Sequence, residues 1–244
     1  MMYDLKLQNV LFLDIETVPV VEDFVGLTEG QKKLWEVRSS HFRKEGEDAA
    51  EVWSRAGLYA EFGKIICISA GIFSSLSEPR HFRIKSFYGD DELKIIRDFT
   101  QLLLNFRNEK DLRLCAHNGK DFDFPFIARR TIILGEALPS VLNIAGKKPW
   151  ELNFVDTLEL WKFGEFRNFT SLALLAEILG VSNPKDDLDG SQVAQVYYGE
   201  KNTDRIARYC EKDVLAVAQV LLRLRGEKLI PEENVEIIGN SGLS

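Results

Sequence analysis

Two carboxylates stand at the end of an apolar segment near the N-terminus. Residues 8–16 have the sequence QNVLFLDIE, and apolar side chains occupy both alternating positions, which is typical of a strand covered on both faces. Asp14 and Glu16 share one face of this predicted strand, about 6.6 Å apart along it. Buried like charges lose hydration and repel each other, so a divalent cation would stabilise the pair. The alternative is a strand end that has already reached solvent.

A third carboxylate interrupts the apolar stripe of a predicted helix at 203–225. The apolar positions of this stripe are Ile206, Cys210, Val217, Leu221 and Leu224. At 100° per residue, Asp213 lies about 20° from Ile206, in the middle of the stripe. A fully buried Asp is rare without a partner. Asp213 is therefore a candidate metal ligand, and an ion pair with Arg208 is the alternative.

The segment HNGKDFD, residues 117–123, follows a predicted strand and precedes a predicted helix. Asp123 suits a helix N-cap as well as a ligand position, and Asp121 is a second carboxylate in the same segment. Lone histidines such as His117 are more often packed or hydrogen-bonded than metal-bound.

Together these acids predict a metal centre. Four carboxylates converging from three segments suit two divalent ions about 4 Å apart. Hard oxygen ligands without Cys or His at ligand spacing favour Mg²⁺ or Mn²⁺ over Zn²⁺.

The elements that must position these acids indicate an α/β fold with a mixed sheet. Strands are predicted at 8–16, 64–73, 80–88, 111–117 and 152–156. Helices are predicted at 91–107, from about 124, at 157–163, at 170–180 and at 203–225, with Asp156 as a helix N-cap. Residues 22–62 form a helical insertion after the first strand. The predicted domain spans 1–226, and 227–244 is a C-terminal tail.

Composition excludes several classes of protein. The chain has 244 residues, 45% of them apolar and 28% charged, which excludes a disordered or collagen-like protein. Its 31 basic and 38 acidic residues give a net charge of −7, unlike proteins that coat duplex nucleic acid. Three cysteines without a CxxC pair, and no apolar run of 18 residues, predict a cytoplasmic protein.

Three motifs carry a family resemblance: LFLDIET, HNGKDFD and YCEKD. The chain resembles the DEDD-type 3′–5′ exonucleases of the ribonuclease H-like fold. It is most similar to stand-alone predicted exonucleases that resemble the proofreading domain of family B DNA polymerases. The stretches EFGKIICIS, KKPWELNFVDTLEL and DDLDGSQV also fit that group. The resemblance covers roughly residues 8–224.

The resemblance implies roles for individual residues. It implies a ribonuclease H-like sheet of five strands, and metal ligation by Asp14, Glu16, Asp123 and Asp213. Asp123 is chosen over Asp121 because it follows an aromatic residue, as the family's Asp does. Tyr209 stands four positions before Asp213, which places the chain in the tyrosine branch. Tyr209 would then orient the attacking water, and Thr17, Asn118 and Phe122 would contact the substrate.

The implied activity is removal of nucleoside 5′-monophosphates from 3′ ends of single-stranded DNA with two Mg²⁺ or Mn²⁺ ions. An exoribonuclease acting on short RNA, a non-catalytic nucleic-acid-binding module and a small-molecule phosphohydrolase are the alternatives. RNA differs from DNA in its 2′-hydroxyl, and this sequence does not show whether the site accepts or excludes that group.

A basic segment with aromatic residues follows the first motif. Residues 31–44, QKKLWEVRSSHFRK, contain five basic side chains and one acid. Lys32, Lys33 and Trp35 are candidate contacts to a single strand, because cations follow its backbone and aromatic rings stack on its bases. The alternative is an amphipathic helix with Trp35 in the core and the charges in solvent.

Overall fold

The computed structural model describes residues 3–106, 111–148, 151–167, 169–181 and 188–239. Residues 149–150 and 186–187, which belong to the family-like stretches, lie outside these ranges. The strands are β1 Val10–Pro19, β2 Gly63–Ser75, β3 His81–Tyr88, β4 Arg113–Ala116, β5 Val155–Asp156 and β6 Val235–Ile238. The helices are α1 Glu29–Ser39, α2 Glu92–Leu104, α3 Asp123–Ile133, α4 Thr157–Lys162, α5 Leu172–Ile178, α6 Val193–Gln195 and α7 Thr203–Leu224. A π-helical turn, Val196–Glu200, continues α6.

The strands form one mixed sheet in the order β5-β4-β1-β2-β3-β6. The pairs β1–β2 and β2–β3 are antiparallel, and β1–β4, β4–β5 and β3–β6 are parallel. The α/β class and the ribonuclease H-like fold are confirmed. The sheet has six strands in the described ranges, however, not the five that were predicted.

The sixth strand comes from the predicted tail. β6 pairs with β3 at the sheet edge, from Phe82 opposite Val235 to Lys85 opposite Ile238. The side chain of Gln219 in α7 fixes the segment before β6, because its amide both donates to the Ile230 carbonyl and accepts from the Ile230 N–H, each at 2.9 Å. Local sequence gave little sign of this strand, since it is short, largely exposed and held by tertiary contacts.

β1 is the central strand, and its two faces contact different helices. Leu11, Leu13 and Ile15 belong to the core cluster that α2 and α3 complete. Val10 and Phe12 point to the other face and belong to a cluster with α7. Because side chains alternate along a strand, the even-numbered positions of β1 face α7.

The insertion at 22–62 has its own small core, and one prediction about it is wrong. Trp35 in α1 is fully buried, its ring packs against Trp53 and Phe62, and its indole N–H donates to the Ala49 carbonyl at 2.8 Å. The ring is therefore unavailable for stacking on a nucleic-acid base. The alternative interpretation of this segment, an amphipathic helix with Trp35 in the core, is the correct one for this residue.

Lys32 and Lys33 lie on the outer side of α1. Lys32 forms an ion pair of 2.8 Å with Glu29 on the same helix, and Lys33 is exposed. No helix within the described ranges has the length and apolarity needed to cross a membrane. The cytoplasmic location stays a prediction.

A buried ion pair joins α2 and α3 to the start of β2. The Arg130 guanidinium donates to both Glu92 carboxylate oxygens, at 2.8 and 2.6 Å, and to the Ala60 carbonyl at 2.9 Å. Glu92 also accepts from the Ile65 N–H at 2.8 Å. Both side chains are more than nine-tenths buried. The pair therefore satisfies buried hydrogen-bonding groups of α2, of α3 and of the start of β2.

We expect Arg130→Met to destabilise the fold by about 3–5 kcal/mol, because it leaves the Glu92 carboxylate buried without its counterion. Chemical denaturation measures this change. Arg97→Met is the matched control: Arg97 pairs with Glu136 on the surface, so its loss is expected to change stability by no more than about 1 kcal/mol. Equal destabilisation by the two substitutions would contradict the structural role of the buried pair.

Candidate active site

Asp14 and Glu16 lie near the end of β1 on the face covered by α7. They share this face with Val10 and Phe12, as the strand alternation requires. Opposite them in β2 stand Ser69 and Cys67, and the register shifts by a bulge between Glu16 and Thr17. Bulges frequently occur beside active sites, where they redirect side chains. Glu16 is buried, and Asp14 is half-buried.

α7 brings Asp213 and Tyr209 to the same place. The half-buried Asp213 lies between the buried positions Cys210 and Val217 of the helix stripe, as the sequence pattern predicted. The hydroxyl of Tyr209 is hydrogen-bonded to the Asp213 carboxylate. The charges of Asp213, Glu16 and Asp14 all act on this hydroxyl, so one tyrosine faces three of the acids.

Asp123 reaches the site from the other helix layer. It is the first residue of α3, and its Oδ1 accepts a hydrogen bond from the Ile15 N–H at 3.2 Å. Ile15 is the residue between Asp14 and Glu16, so this bond holds Asp123 against the acidic end of β1. Asp121 is exposed. The structure thus places Asp123, and not Asp121, beside the other three acids.

Burial and neighbouring charges raise the pKa values of three of the four acids, Asp14, Glu16 and Asp123. The pKa of Asp14 lies well above its usual range, first because of burial and then because of the charges of Asp213, Asp123 and Glu16. The pKa of Glu16 is raised in the same way, by burial and then chiefly by Asp213. Burial raises the pKa of Asp123 to about 7, with contributions from Asp156 and Asp213. In the metal-free site these acids are therefore desolvated, and they take up protons at a higher pH than exposed carboxyl groups do.

The thiol of Cys210 lies among these groups, where sequence reasoning assigned it only to the apolar stripe. Its Sγ lies 3.3 Å from both the Asp14 carbonyl and Asp14 Oδ2. The ligand atoms of Asp14, Glu16 and Cys210 all fall within 4.8 Å of one another. Burial raises the pKa of Cys210, so this thiol stays protonated and donates to Asp14. A protonated thiol is a weak ligand, which leaves the carboxylates as the metal-binding groups.

The turn before Asp123 is held by Asp156. The N–H groups of Asn118 and Lys120 donate to the two oxygens of this carboxylate, at 2.9 and 3.0 Å. Asp156 also caps α4, accepting from Leu158 and Glu159, so the predicted cap is confirmed. Its second function was missed, because nothing in the sequence near 156 indicates contact with residues 118–120.

Two backbone features allow residues 118–120 to form this turn. Asn118 has φ 62°, a left-handed conformation that Asn tolerates better than most residues. A Cβ at Gly119 would lie 2.5 Å from the Cβ of Ala116, so only glycine fits there. Geometry thus requires glycine at 119 and favours asparagine at 118.

His117 fastens this turn to the start of α5. Its Nδ1 lies 2.9 Å from the Thr157 hydroxyl, and its Nε2 lies 2.8 Å from the Thr170 carbonyl. Burial lowers the pKa of His117, so the ring is neutral, and Nε2 carries the proton that the carbonyl accepts. His117 is therefore a hydrogen-bonded structural residue, the commoner of the two possibilities at the sequence level.

The other predicted substrate contacts surround this centre. Thr17 directly follows Glu16, and its hydroxyl donates to the Gly57 carbonyl at 2.7 Å. Phe122 is half-buried and packs on Phe126, with ring centroids 5.4 Å apart. Asn118 is half-buried in the turn before Asp123. Contacts of these residues with a substrate remain predictions.

The donor set fits hard divalent cations. Asp14 and Glu16 each offer a carboxylate oxygen within 4.8 Å of the other, and the neighbouring charges that raise the pKa of Asp14 all belong to carboxyl groups. Oxygen ligands of this kind suit Mg²⁺ or Mn²⁺. Bound cations would offset the repulsion and return the acids to their charged form.

Comparison with solved structures supports the fold. The family B DNA polymerase from the hyperthermophilic archaeon Pyrobaculum calidifontis matches with a TM-score of 0.52 and 16% sequence identity. The match covers 87% of this chain and 24% of the polymerase, so the chain spans about a quarter of that protein's length. No curated protein matches the chain.

A family model matches residues 58–230, more than half of the chain. It describes a predicted 3′–5′ exonuclease related to the exonuclease domain of PolB. Asp123, Tyr209 and Asp213 fall within the matched residues, and Asp14 and Glu16 precede them. The chain therefore belongs to the family of predicted 3′–5′ exonucleases related to the exonuclease domain of PolB.

Proposed function

We propose that this protein removes nucleoside 5′-monophosphates from the 3′ end of single-stranded DNA by metal-dependent hydrolysis. One observation carries the proposal: carboxylates from three separate segments meet at the end of β1 beside a tyrosine hydroxyl. A site that only supports the fold would not concentrate this much buried like charge, because each added carboxylate raises the free energy of the folded chain.

The carboxylates would hold two divalent ions. Asp14, Glu16 and Asp213 would bind the first, and Asp14 would share the second with Asp123. Divalent ions in this position would supply acidification of a water molecule and stabilisation of the negative charge on the phosphate.

Tyr209 would position the attacking water. Its hydroxyl stays protonated, because burial and the charge of Asp213 raise its pKa. It can therefore act as a hydrogen-bond donor beside the acids but not as a base. In the hydrolysis, a water molecule loses a proton and its oxygen forms a bond to the phosphorus of the terminal nucleotide. The bond from that phosphorus to the 3′ oxygen of the preceding nucleotide breaks, and this oxygen takes up a proton.

The chain's own turn at 118–120 would receive the terminal nucleotide. We propose that Asn118, Phe122 and Thr17 contact it, since all three adjoin the acids in the sequence and the first is fixed by Asp156. Lys32 and Lys33 on α1 are further proposed contacts to the phosphate backbone. The preference for DNA rests on the family's relation to a DNA polymerase domain.

A degradation assay tests the proposal. DNA and RNA oligomers labelled at the 5′ end are incubated with the protein and Mg²⁺ or Mn²⁺, and the products are sized on a gel. We expect a ladder of labelled DNA shortened from the 3′ end, formed faster than with RNA and blocked by a 3′-terminal phosphorothioate. Faster shortening of RNA would identify an exoribonuclease. No shortening of either polymer would contradict the proposal.

Asp213→Asn should separate activity from stability. The activity is expected to fall by at least about 10²–10³-fold, because the substitution removes a ligand and a charge from the site. Without metal at pH 8, the melting temperature should rise, by about 2–4 °C for each kcal/mol of repulsion that is relieved.

Asp121→Asn is the matched control, because Asp121 is exposed in the neighbouring turn. It should leave both the rate and the metal-free melting temperature close to those of the unaltered protein. Full activity in Asp213→Asn would contradict the assigned site.

Tyr209→Phe should reduce the rate by about 10- to 100-fold, less than Asp213→Asn does, because it removes one hydrogen bond and no ligand. Steady-state rates on a labelled oligomer measure the difference. Tyr88→Phe serves as control, since that hydroxyl donates to Asp204 and to none of the four acids. A loss equal to that of Asp213→Asn would show that Tyr209 does more than orient water.

A further inference from the structure

Three phenylalanines are strongly exposed in one short loop. Residues 163–169, here called the aromatic loop, connect α4 with the segment before α5, and residue 168 lies outside the described ranges. The exposed fractions of Phe163, Phe166 and Phe169 are 82%, 96% and 67%. Single exposed apolar residues are ordinary on protein surfaces. Three large rings within seven residues instead indicate a surface that contacts another molecule.

The loop begins and ends beside the candidate active site. At its end, Thr170 accepts the hydrogen bond from His117, the residue before Asn118. At its beginning, α4 starts at Asp156, whose carboxylate holds the turn at 118–120. Lys162 is the last residue of α4. Its pKa is raised first by Glu159 and further by the charges of Asp121 and Asp156, so Lys162 lies near both of these acids. A hydrogen bond therefore ties the end of the loop to the turn that precedes Asp123, and the beginning of the loop lies near that turn.

The backbone turns sharply where the rings begin. Phe163 ends α4 in a left-handed conformation with φ 47°, and Gly164 follows with φ 90°. This turn leads the chain away from α4 and out of the core. The backbone conformation at Phe163 and Gly164 thus contributes to the exposure of the rings.

The composition of the loop fits a single strand. Aromatic rings stack on any base, and nearby cations follow the phosphates. Lys162 precedes the three rings, Arg167 lies between the second and the third, and Lys120 stands in the adjoining turn. Two acids accompany these cations: Glu165 within the loop, and Glu159, which pairs with Lys162 at 2.7 Å. In a chain with a net charge of −7, contact with nucleic acid is favoured where exposed rings and cations coincide.

We propose that the aromatic loop is the base-stacking surface for the single-stranded nucleotides that precede the 3′ end of the substrate. This inference rests on the proposed function, because only a polymer bound at the acids would extend from the site onto the loop. It also assigns base stacking to residues other than Trp35, whose ring is fully buried.

Binding of an oligonucleotide tests the proposal independently of hydrolysis. The probe is a fluorescein-labelled 15-nucleotide thymidine oligomer with phosphorothioate linkages at its 3′ end, and fluorescence anisotropy in Mn²⁺ gives its Kd. Phe163→Ala/Phe166→Ala/Phe169→Ala should raise the Kd by about tenfold or more, because each lost stacking contact alone weakens binding severalfold. The three Phe→Tyr substitutions should restore binding, since they keep the rings.

Ile132→Ala/Ile133→Ala is the matched control, because both side chains are exposed at the end of α3. Its Kd should equal that of the unaltered protein. Where the triple variant does not fold, Phe166→Ala alone gives the same test, since that side chain is almost fully exposed. We expect it to raise the Kd by about fivefold.

The outcomes separate the two proposals. If the unaltered protein degrades oligomers but the triple variant binds the probe with unchanged Kd, the stacking surface is wrong and the aromatic loop contacts something else, such as a protein. If the unaltered protein binds the probe through the loop but degrades nothing, the stacking surface stands and the proposed hydrolysis fails. Failure of the unaltered protein to bind the probe would overturn the inference.

Discussion

Repulsion between carboxylates at the end of β1 is the constraint on which the rest of the structure depends. Asp14 and Glu16 are set on one face by strand alternation, and Asp213 and Asp123 approach them from α7 and α3. Burial and these neighbouring charges raise the pKa values of Asp14, Glu16 and Asp123. The arrangement persists because apolar packing fixes both supports: α7 through the cluster with Val10 and Phe12, and α3 through the cluster with Leu13 and Ile15. Apolar packing in these two clusters thus offsets the free-energy cost of bringing the acids together.

Hydrogen bonds outside the acids determine how accurately the site is placed. Asp156 binds the turn at 118–120 and caps α4, so one carboxylate fixes the approach to Asp123 and the direction of α4 together. His117 joins the same turn to Thr170. Changes in the aromatic loop or in α4 can therefore alter the turn before Asp123 without contacting any of the four acids.

The sequence pointed to Asp14, Glu16 and Asp213 because each stands where an apolar pattern or a strand end makes a carboxylate unusual, whereas Asp123 was chosen over Asp121 through the family resemblance. Asp213 within its helix stripe is the clearest case. The helix predicted at 203–225 from that apolar stripe agrees closely with α7 at Thr203–Leu224. Residues whose functions depend on tertiary contacts were beyond the reach of these patterns. Gln219 holds Ile230 and thereby β6, and Asp156 holds Asn118. The residues of each pair are distant in sequence, so local spacing does not predict either contact. For Trp35 the sequence left two possibilities open, a stacking contact among cations and a core position on an amphipathic helix, and only its burial in the core of the insertion decides for the second.

The most direct test of the metal centre is the melting temperature of the unaltered protein between pH 4 and pH 8, with and without Mn²⁺ at matched ionic strength. Acids whose pKa values are raised on folding leave stability intact below their unfolded pKa values, near 4, and remove it as the pH rises through their folded values. For Asp123 that folded value is about 7, and those of Asp14 and Glu16 are raised as well. We therefore expect the metal-free melting temperature to fall across this range and Mn²⁺ to abolish most of the fall. Parallel curves with and without Mn²⁺ would contradict a metal centre built from these four carboxylates.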